Sequence, residues 1–512
     1  MHKFCFLIAF FLLSSFFIRA QEISSPPDTL TVDEQINEWI APATSTIESI
    51  IFYPIVIGGY EIPFILIWLI FGGISLTFYL KFINIRGFKH AIEIVKGKYT
   101  HLGDPGEVTH FQALTAALSG TVGLGNIAGV AIAISLGGPG ATFWMIVAGF
   151  FGMTSKFVEC ALAVKFRNIH ADGSISGGPM YYLSKGLAEK GWGGFGKFLA
   201  VFFSIMCIGA AFGAGNMFQV NQAAQQFLSL PFVEGTVFDG SSWIFGLIIA
   251  IVVGVVIIGG IKSIANVTEK IVPFMCGIYI LGALVVIFAN YSKIPDALGL
   301  ILDGAFNGTA VAGGIVGVLI QGVRRAAFSN EAGIGSSAIA HSAVKTSEPV
   351  TEGFVATLEP FVDTIIVCTM TALVIVVTGV YDTTSNDGIE ITSHAFATVI
   401  EWFPYILTLA VILFAFSTMI SWSYYGLKAW TYLFGKGKFS VIIYKFTFCI
   451  FIVIGASMSL QNVIGFSDGM LFAMSLPNIL GLYILAPLVK KDMNSFIKRV
   501  ENDTIETFEY HE

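Results

Sequence analysis

The feature that most constrains this chain is the recurrence of long, nearly uncharged apolar runs along most of its length. Runs near 20 residues match the hydrocarbon thickness of a bilayer, and in lipid a segment of that length satisfies its own backbone N–H and C=O groups only as a helix. Of 512 residues, 27 are Lys or Arg and 34 are Asp or Glu, so charged residues make up 12% of the chain, against about 25% in soluble domains. A water-facing surface cannot be built from so few charges. The expected fold class is an all-α polytopic membrane protein with the lipid bilayer as its solvent. The net charge of −7 comes without a basic stripe, which excludes nucleic acid as a partner.

Eleven candidate spans are centred near residues 71, 123, 151, 212, 252, 279, 315, 368, 414, 448 and 476. They follow the segment MHKFCFLIAFFLLSSFFIRAQ, with Lys3, an apolar run from Phe4 to Ile18 and the small Ala20 before Gln21. That is the pattern of a signal peptide over residues 1–20, a short uncleaved anchor being the alternative. Residues 21–60 then form an extracytoplasmic segment, 61–490 the transmembrane domain and 491–512 a cytoplasmic tail. An odd number of spans places the N-terminus outside and the C-terminus inside the cytoplasmic membrane. The positive-inside rule agrees: cytoplasmic segments hold Lys81, Arg86, Lys165, Arg167, Lys262, Arg324, Arg325, Lys428 and Lys490, whereas the outer loops keep only Lys293.

The six cysteines are spread one per apolar stretch with no CxxC pair, and read as packing residues. GxxxxGK[ST] and HExxH are absent, so the signatures of ATP hydrolysis and zinc proteolysis are missing. Lys156 and Glu159, three apart in the third span, are placed to pair with each other. Glu359 and Asp363, four apart in the eighth, have no basic residue near them in sequence.

The ten spans after the first suggest two five-helix halves of opposite topology. The stretch Gly120 to Val130, GTVGLGNIAGV, overlays Gly308 to Val318, GTAVAGGIVGV, each opening the first helix of its half. Gly120, Gly123, Gly125 and Gly129 disfavour a straight helix, because each costs up to about 1 kcal/mol relative to Ala. Unwinding is expected there, and at Ala312, Gly313 and Gly314 in the second half. Backbone groups freed at bilayer depth are tolerated only where they face a cavity or ligand. Half-helix N-termini then suit a carboxylate, and freed carbonyls suit Na+.

Five segments carry a more specific signal: FSNEAGIGSSAIAHSAVKT (328–346), TVGLGNIAG from Thr121, GAGNMFQVNQ from Gly213, VDTIIVCTMTALV from Val362 and FAFSTMISWSYYG from Phe414. Over about residues 60 to 490 the chain resembles the alanine or glycine:cation symporters, within the group that shares the bacterial leucine-transporter fold. The resemblance implies eleven transmembrane helices: one N-terminal helix plus a 5+5 inverted-repeat core with broken first and sixth core helices. It implies Na+-coupled uptake of alanine or glycine by alternating access, with H+ coupling as the alternative, Na+ as the coupling ion, no organic cofactor and no enzymatic activity. A channel would instead show a symmetric filter or rings of like charge.

The same resemblance places the amino-acid substrate against Thr121, Gly123, Gly125 and Asn126 of the first break and Gly313 of the second half. Asn216 and Gln219 add polar contacts from one helix face, and Trp422 would close over a small side chain. Na+ would lie between the carbonyls of Ser119, Val122 and Phe414 and the side chains of Ser417 and Thr418, with Ser421 entering if the register shifts. Asp363 is a coupling or gating candidate, and Arg324 with Glu331 could form a gate at the cytoplasmic end. Neither oligomeric state nor the choice between alanine and glycine follows from the sequence.

Overall fold

The computed structural model describes residues 32–99, 103–239, 241–307, 314–382, 388–502 and 504. The signal segment, Gly308–Gly313 and most of the tail beyond Asn502 lie outside these residues. The described chain is mostly helical. Its principal helices are α1 (Val32–Ile51), α2 (Phe64–Tyr79), α3 (His110–Thr121), α4 (Ala128–Gly137), α5 (Ala141–Lys165) and α6 (Gly193–Leu228). There follow α7 (Ser242–Ile257), α8 (Gly260–Ala289), α9 (Ile294–Asn307), α10 (Gly314–Asn330), α11 (Ala338–His341) and α12 (Pro349–Thr378). The last four are α13 (Ile389–Ala397), α14 (Phe403–Phe434), α15 (Lys438–Ser457) and α16 (Leu460–Glu501).

Seven of these, α5, α6, α8, α12, α14, α15 and α16, are long and apolar enough to cross a bilayer. Helices α3 and α4, with the short turn Leu124–Asn126 between them, make an eighth span bent by 58°. Helices α2 and α7 are apolar but only 16 residues long. The chain is a multi-pass membrane protein.

Basic residues gather at one end of the bundle and tie its loops together. Arg167 donates to the carbonyls of Ser342 (2.8 Å), Val344 (2.6 Å), Pro105 (2.7 Å) and Thr346 (2.8 Å). Lys490 caps Tyr79 O at 2.9 Å, Lys165 pairs with Asp492 at 2.7 Å, and Arg499 grips Glu348 with two bonds of 2.7 and 2.8 Å. Carbonyls left open at helix ends are satisfied well by such cations. At the opposite end α1 lies along the first half of α16, and Asn37 receives the Ser459 hydroxyl at 3.0 Å.

Two arginines depart from the expected arrangement. Arg324 bonds Asp468 at 2.7 Å and Glu48 of α1 at 3.2 Å, with its guanidinium 4.2 Å from the centre of the Phe52 ring, and Arg325 also bonds Asp468. Both therefore sit on the α1 side of the bundle and not at the basic end. The reason is the position of the second helix break. Helix α10 runs unbroken from Gly314 to Asn330, so the chain has not yet reached the basic end when it passes Arg324.

Candidate substrate and cation site

Thr109 starts α3 through a capping box: its hydroxyl accepts from Gln112 N–H and its own N–H donates to Gln112 Oε1, both at 3.2 Å. The helix ends at Thr121, where Gly123 N–H turns back to Thr121 O at 2.9 Å and also meets Asn126 Oδ1 at 2.9 Å. The next N–H, Leu124, donates to Gln219 Oε1 at 3.0 Å. Two backbone donors at the expected break are thus held by neutral amide oxygens. A side chain at 123 is excluded, since a Cβ there would collide with Thr418 Oγ1 and approach Gln219 Oε1 to 3.0 Å.

The second interruption spans Glu331–Ser337, between α10 and α11. It lies later in the chain than the Ala312–Gly314 segment expected from the glycine alignment, because Gly314 opens a regular helix. The chain turns at Glu331 (φ +56°), Gly333 (φ +83°) and Gly335 (φ +89°). Left-handed backbone at alternate residues is easy for glycine and strained for Glu. The GxG spacing in EAGIG was the sequence signal for it. Gly313 lies outside the described residues.

Two side chains join the interruptions. Asp363 receives Asn126 Nδ2 at 2.7 Å, Ser329 Oγ at 2.8 Å and Thr364 Oγ1 at 2.8 Å, linking the first break to the last turn of α10. Trp422 donates from Nε1 to Glu331 Oε1 at 3.0 Å and to Gly120 O at 3.3 Å. Its ring packs where a side chain at 215 would stand, which leaves Gly215 as the residue that fits. The indole therefore bridges both breaks in a fully buried position.

The residues expected to hold a cation also converge. Ser119 Oγ donates to Ser417 O at 2.7 Å, and Ser421 Oγ reaches Ser119 Oγ at 3.0 Å and Ala116 O at 3.1 Å. Ser417 Oγ bonds back to Phe414 O at 3.0 Å, in the usual manner of helical serine. Thr418 Oγ1, beside Gly123, is buried with no partner among the described residues. A buried hydroxyl is rarely left so, and next to the open turn after Thr121 this one suits an oxygen-seeking cation.

Other expected contacts are not brought together. The Asn216 amide donates to Phe448 O at 2.7 Å, toward α15 and away from the break. A π-type turn at Gly213–Met217 shifts the register between Asn216 and Gln219, so the two do not share one face. Thr121 bonds its own preceding turn, at 3.3 Å from Ala117 O. Lys156 does not pair with Glu159. It reaches Glu359 at 3.0 Å and Ser337 at 2.6 Å, while Glu159 accepts from Asn478 at 2.8 Å. Glu359, on α12, approaches the ammonium from a facing helix, so the neighbour on α5 is outcompeted. Sequence reasoning also missed His110, His341, Glu352, Asp468 and Asn478, and no local spacing marks them.

A bundle of membrane-length helices with two interruptions meeting around buried polar groups is the architecture of a secondary transporter. The family model described as the sodium:alanine symporter family matches residues 49–510, and the chain belongs to that family. It is 41% identical over 446 residues to the sodium/alanine symporter AgcS of Methanococcus maripaludis, covering 86% of this chain and 96% of that one. It is 37% identical to an uncharacterized transporter of Haemophilus influenzae over 84% of this chain and 92% of the other. Among solved structures, MhsT in complex with L-phenylalanine overlays with a TM-score of 0.49 at 16% identity, covering 75% of this chain and 89% of that one. The protein is a cation-coupled amino-acid symporter by family, and not an enzyme.

Proposed function

We propose that the protein takes up small neutral amino acids, alanine and/or glycine, together with Na+, by alternating access across the cytoplasmic membrane. The observation that carries this reading is the first interruption, with two backbone N–H groups held by replaceable amide oxygens beside the unpartnered Thr418 hydroxyl. A substrate carboxylate would take the N–H groups of Gly123 and Leu124 from Asn126 and Gln219. Gly125, where a Cβ would press on Phe328 and Ser329 at 3.3 Å, lets the break pack against α10, and Trp422 would close over the substrate, limiting its side chain to hydrogen or methyl. Na+ would sit between the carbonyls of Ser119, Val122 and Phe414 and the hydroxyls of Ser417 and Thr418. Because α3 serves both ligands, binding of one preorganises the turn for the other, which is the basis of coupling. Asp363, bonded to Asn126 of the first break and to Ser329 in the turn before the second, would transmit occupancy from one to the other.

The reading extends to topology. Eleven spans would be α2, the bent α3/α4 pair, α5, α6, α7, α8, the interrupted α10/α11, α12, α14, α15 and α16. The last ten would form two inverted five-helix halves of leucine-transporter type, each opened by its interrupted helix. The basic end would face the cytoplasm, with residues 1–20 a signal peptide, 21–60 outside and 491–512 a cytoplasmic tail. Uptake of labelled alanine and glycine into proteoliposomes, with an inward Na+ gradient, an H+ gradient or neither, tests the function. Accumulation only with Na+ is expected. Accumulation driven by H+ alone would replace the coupling ion, and equilibration indifferent to both would overturn symport.

A further inference from the structure

Five buried ionisable side chains from four helices, α3, α5, α11 and α12, form one continuous series of contacts that the transport reading does not use. Lys156 Nζ lies 3.0 Å from Glu359 Oε2, and Glu359 Oε1 lies 2.6 Å from His341 Nε2. His341 Nδ1 meets Glu352 Oε1, and Glu352 Oε2 meets His110 Nδ1. None of these side chains is more than 1% exposed.

Counting hydrogens shows what this geometry requires. A neutral imidazole has one N–H and one lone pair, and an ionised carboxylate only accepts. His341 presents both ring nitrogens to carboxylate oxygens, so with one N–H a lone pair would face an oxygen in a dry interior. No other donor relieves it, because the second oxygen of Glu352 is taken by His110 and that of Glu359 by Lys156. Both His341 contacts are hydrogen bonds only if the group holds one proton more, on the second ring nitrogen or on one carboxyl. The charge count agrees: Lys156 offsets one of the two carboxylates, and the extra proton offsets the other.

The surrounding groups do not supply an alternative. From α5 come Glu159, held by Asn478 and close to Tyr182, and Cys160, whose sulfur lies within 4.8 Å of ligand atoms of His341 and Glu359. From the second interruption comes Glu331, held by Ser336 and Trp422. Tyr425 of α14 and Asp363 of α12 lie nearby, the latter held by Asn126, Ser329 and Thr364. The guanidinium of Arg167 is spent on backbone carbonyls. Cys160, His341 and Glu359 would suit a metal ion, but the ammonium of Lys156 already occupies Glu359 and both imidazole nitrogens are bonded.

We propose that the Glu359–His341–Glu352 bridge is a proton-binding site, and that its resident proton ties α11, beyond the second interruption, to α12 on both sides of His341. The site is distinct from the amino-acid and cation pocket, and the inference stands whether or not the symport reading does. His110, two residues from the loop bridge Val108–Val344 at the basic end, has its Nε2 without a partner among the described residues.

The test uses the full-length protein in nanodiscs with 15N-labelled histidine. At a pH where ordinary histidines, with pKa near ~6.5, have lost their charge, one imidazolium signal is expected to persist, or else an infrared band of a protonated carboxyl. Glu352→Gln is expected to remove it, because the Gln amide donates to His341 Nδ1 while its oxygen accepts from His110. The sign of the pH dependence follows from linkage: the folded state holds the proton, so its stabilisation is present at neutral pH and is lost as pH rises. The melting temperature of the wild type should therefore fall toward alkaline pH more steeply than that of Glu352→Gln. Neither signal in the wild type, or identical pH slopes in both proteins, would overturn the proposal. If the variant does not fold, the wild-type spectra decide alone.

Discussion

The two interruptions differ in what holds them. Around the first, Gly123 and Leu124 are met by the amides of Asn126 and Gln219, with the hydroxyl of Thr418 beside Gly123 and that of Thr371 on Asn126 O; Asp363 is the ionisable group in contact, on the far side of Asn126. Around the second, Ser337 is bonded to the buried series Lys156–Glu359–His341, and Glu331 is held separately by Ser336 and Trp422. Neutral bonds are worth about 1 kcal/mol each and can be exchanged for a ligand at little net cost. Breaking a buried ion pair leaves a charge with nowhere to go, at about 3–5 kcal/mol. The first interruption is thus built to change partners, and the second to keep them.

Removing Lys156 should have the largest effect. Lys156→Met strands Glu359 and is expected to destabilise the protein by about 3–5 kcal/mol, seen as a collapse of monodisperse yield or melting temperature. Adding Glu359→Gln to it should recover part of the loss. If Lys156→Met melts like the wild type, the second interruption is not held by charge. Next comes Gly123→Ala, whose methyl meets Thr418 and Gln219. Overpacking of this kind costs about 1–3 kcal/mol, and here it should fall on the ligand site. Amino-acid binding by calorimetry is expected to weaken at least tenfold in a protein that still folds.

A smaller and more selective effect is expected of Thr418→Val, which keeps the shape and removes the unpartnered hydroxyl. The Na+ concentration for half-maximal uptake should rise about tenfold, equivalent to about 1.4 kcal/mol, with melting temperature unchanged or higher. An unaltered Na+ dependence would move the cation away from the first interruption. Asn216→Ala should do least: about 1 kcal/mol of stability for the lost bond to Phe448 O, with substrate affinity as in the wild type. A clear loss of affinity there would return Asn216 to the site.

Much of the architecture was legible before any coordinates. The glycines at 120, 123 and 125 marked the first break because they weaken a helix wherever they occur, and the structure bends the span there by 58°. Ser119, Ser417, Thr418 and Trp422 were brought to that bend as expected. The turns at Glu331–Ser337 were not foreseen, because the repeat overlay pointed to Ala312–Gly314, of which Ala312 and Gly313 lie outside the described residues. Gly314 sits in a turn that opens a helix, whereas Gly333 and Gly335, spaced two apart, impose the left-handed turns that stop one. Arg324 and Arg325 were assigned to the basic end because the span near residue 315 was expected to finish before them, whereas α10 runs through them to Asn330.

What the sequence determined by itself is everything that depends on transfer from water: the apolar runs, the helices they must form, the weak point at Gly123, and the family to which these motifs belong. What only the tertiary structure decided is which buried polar group meets which. Lys156 found Glu359 and not Glu159, and His341 found two carboxylates from α12. The reason is geometric. Spacing rules along one helix rank only neighbours on that helix, whereas a buried charge takes the closest opposite charge that packing delivers, and packing delivers it from a facing helix about two hundred residues away.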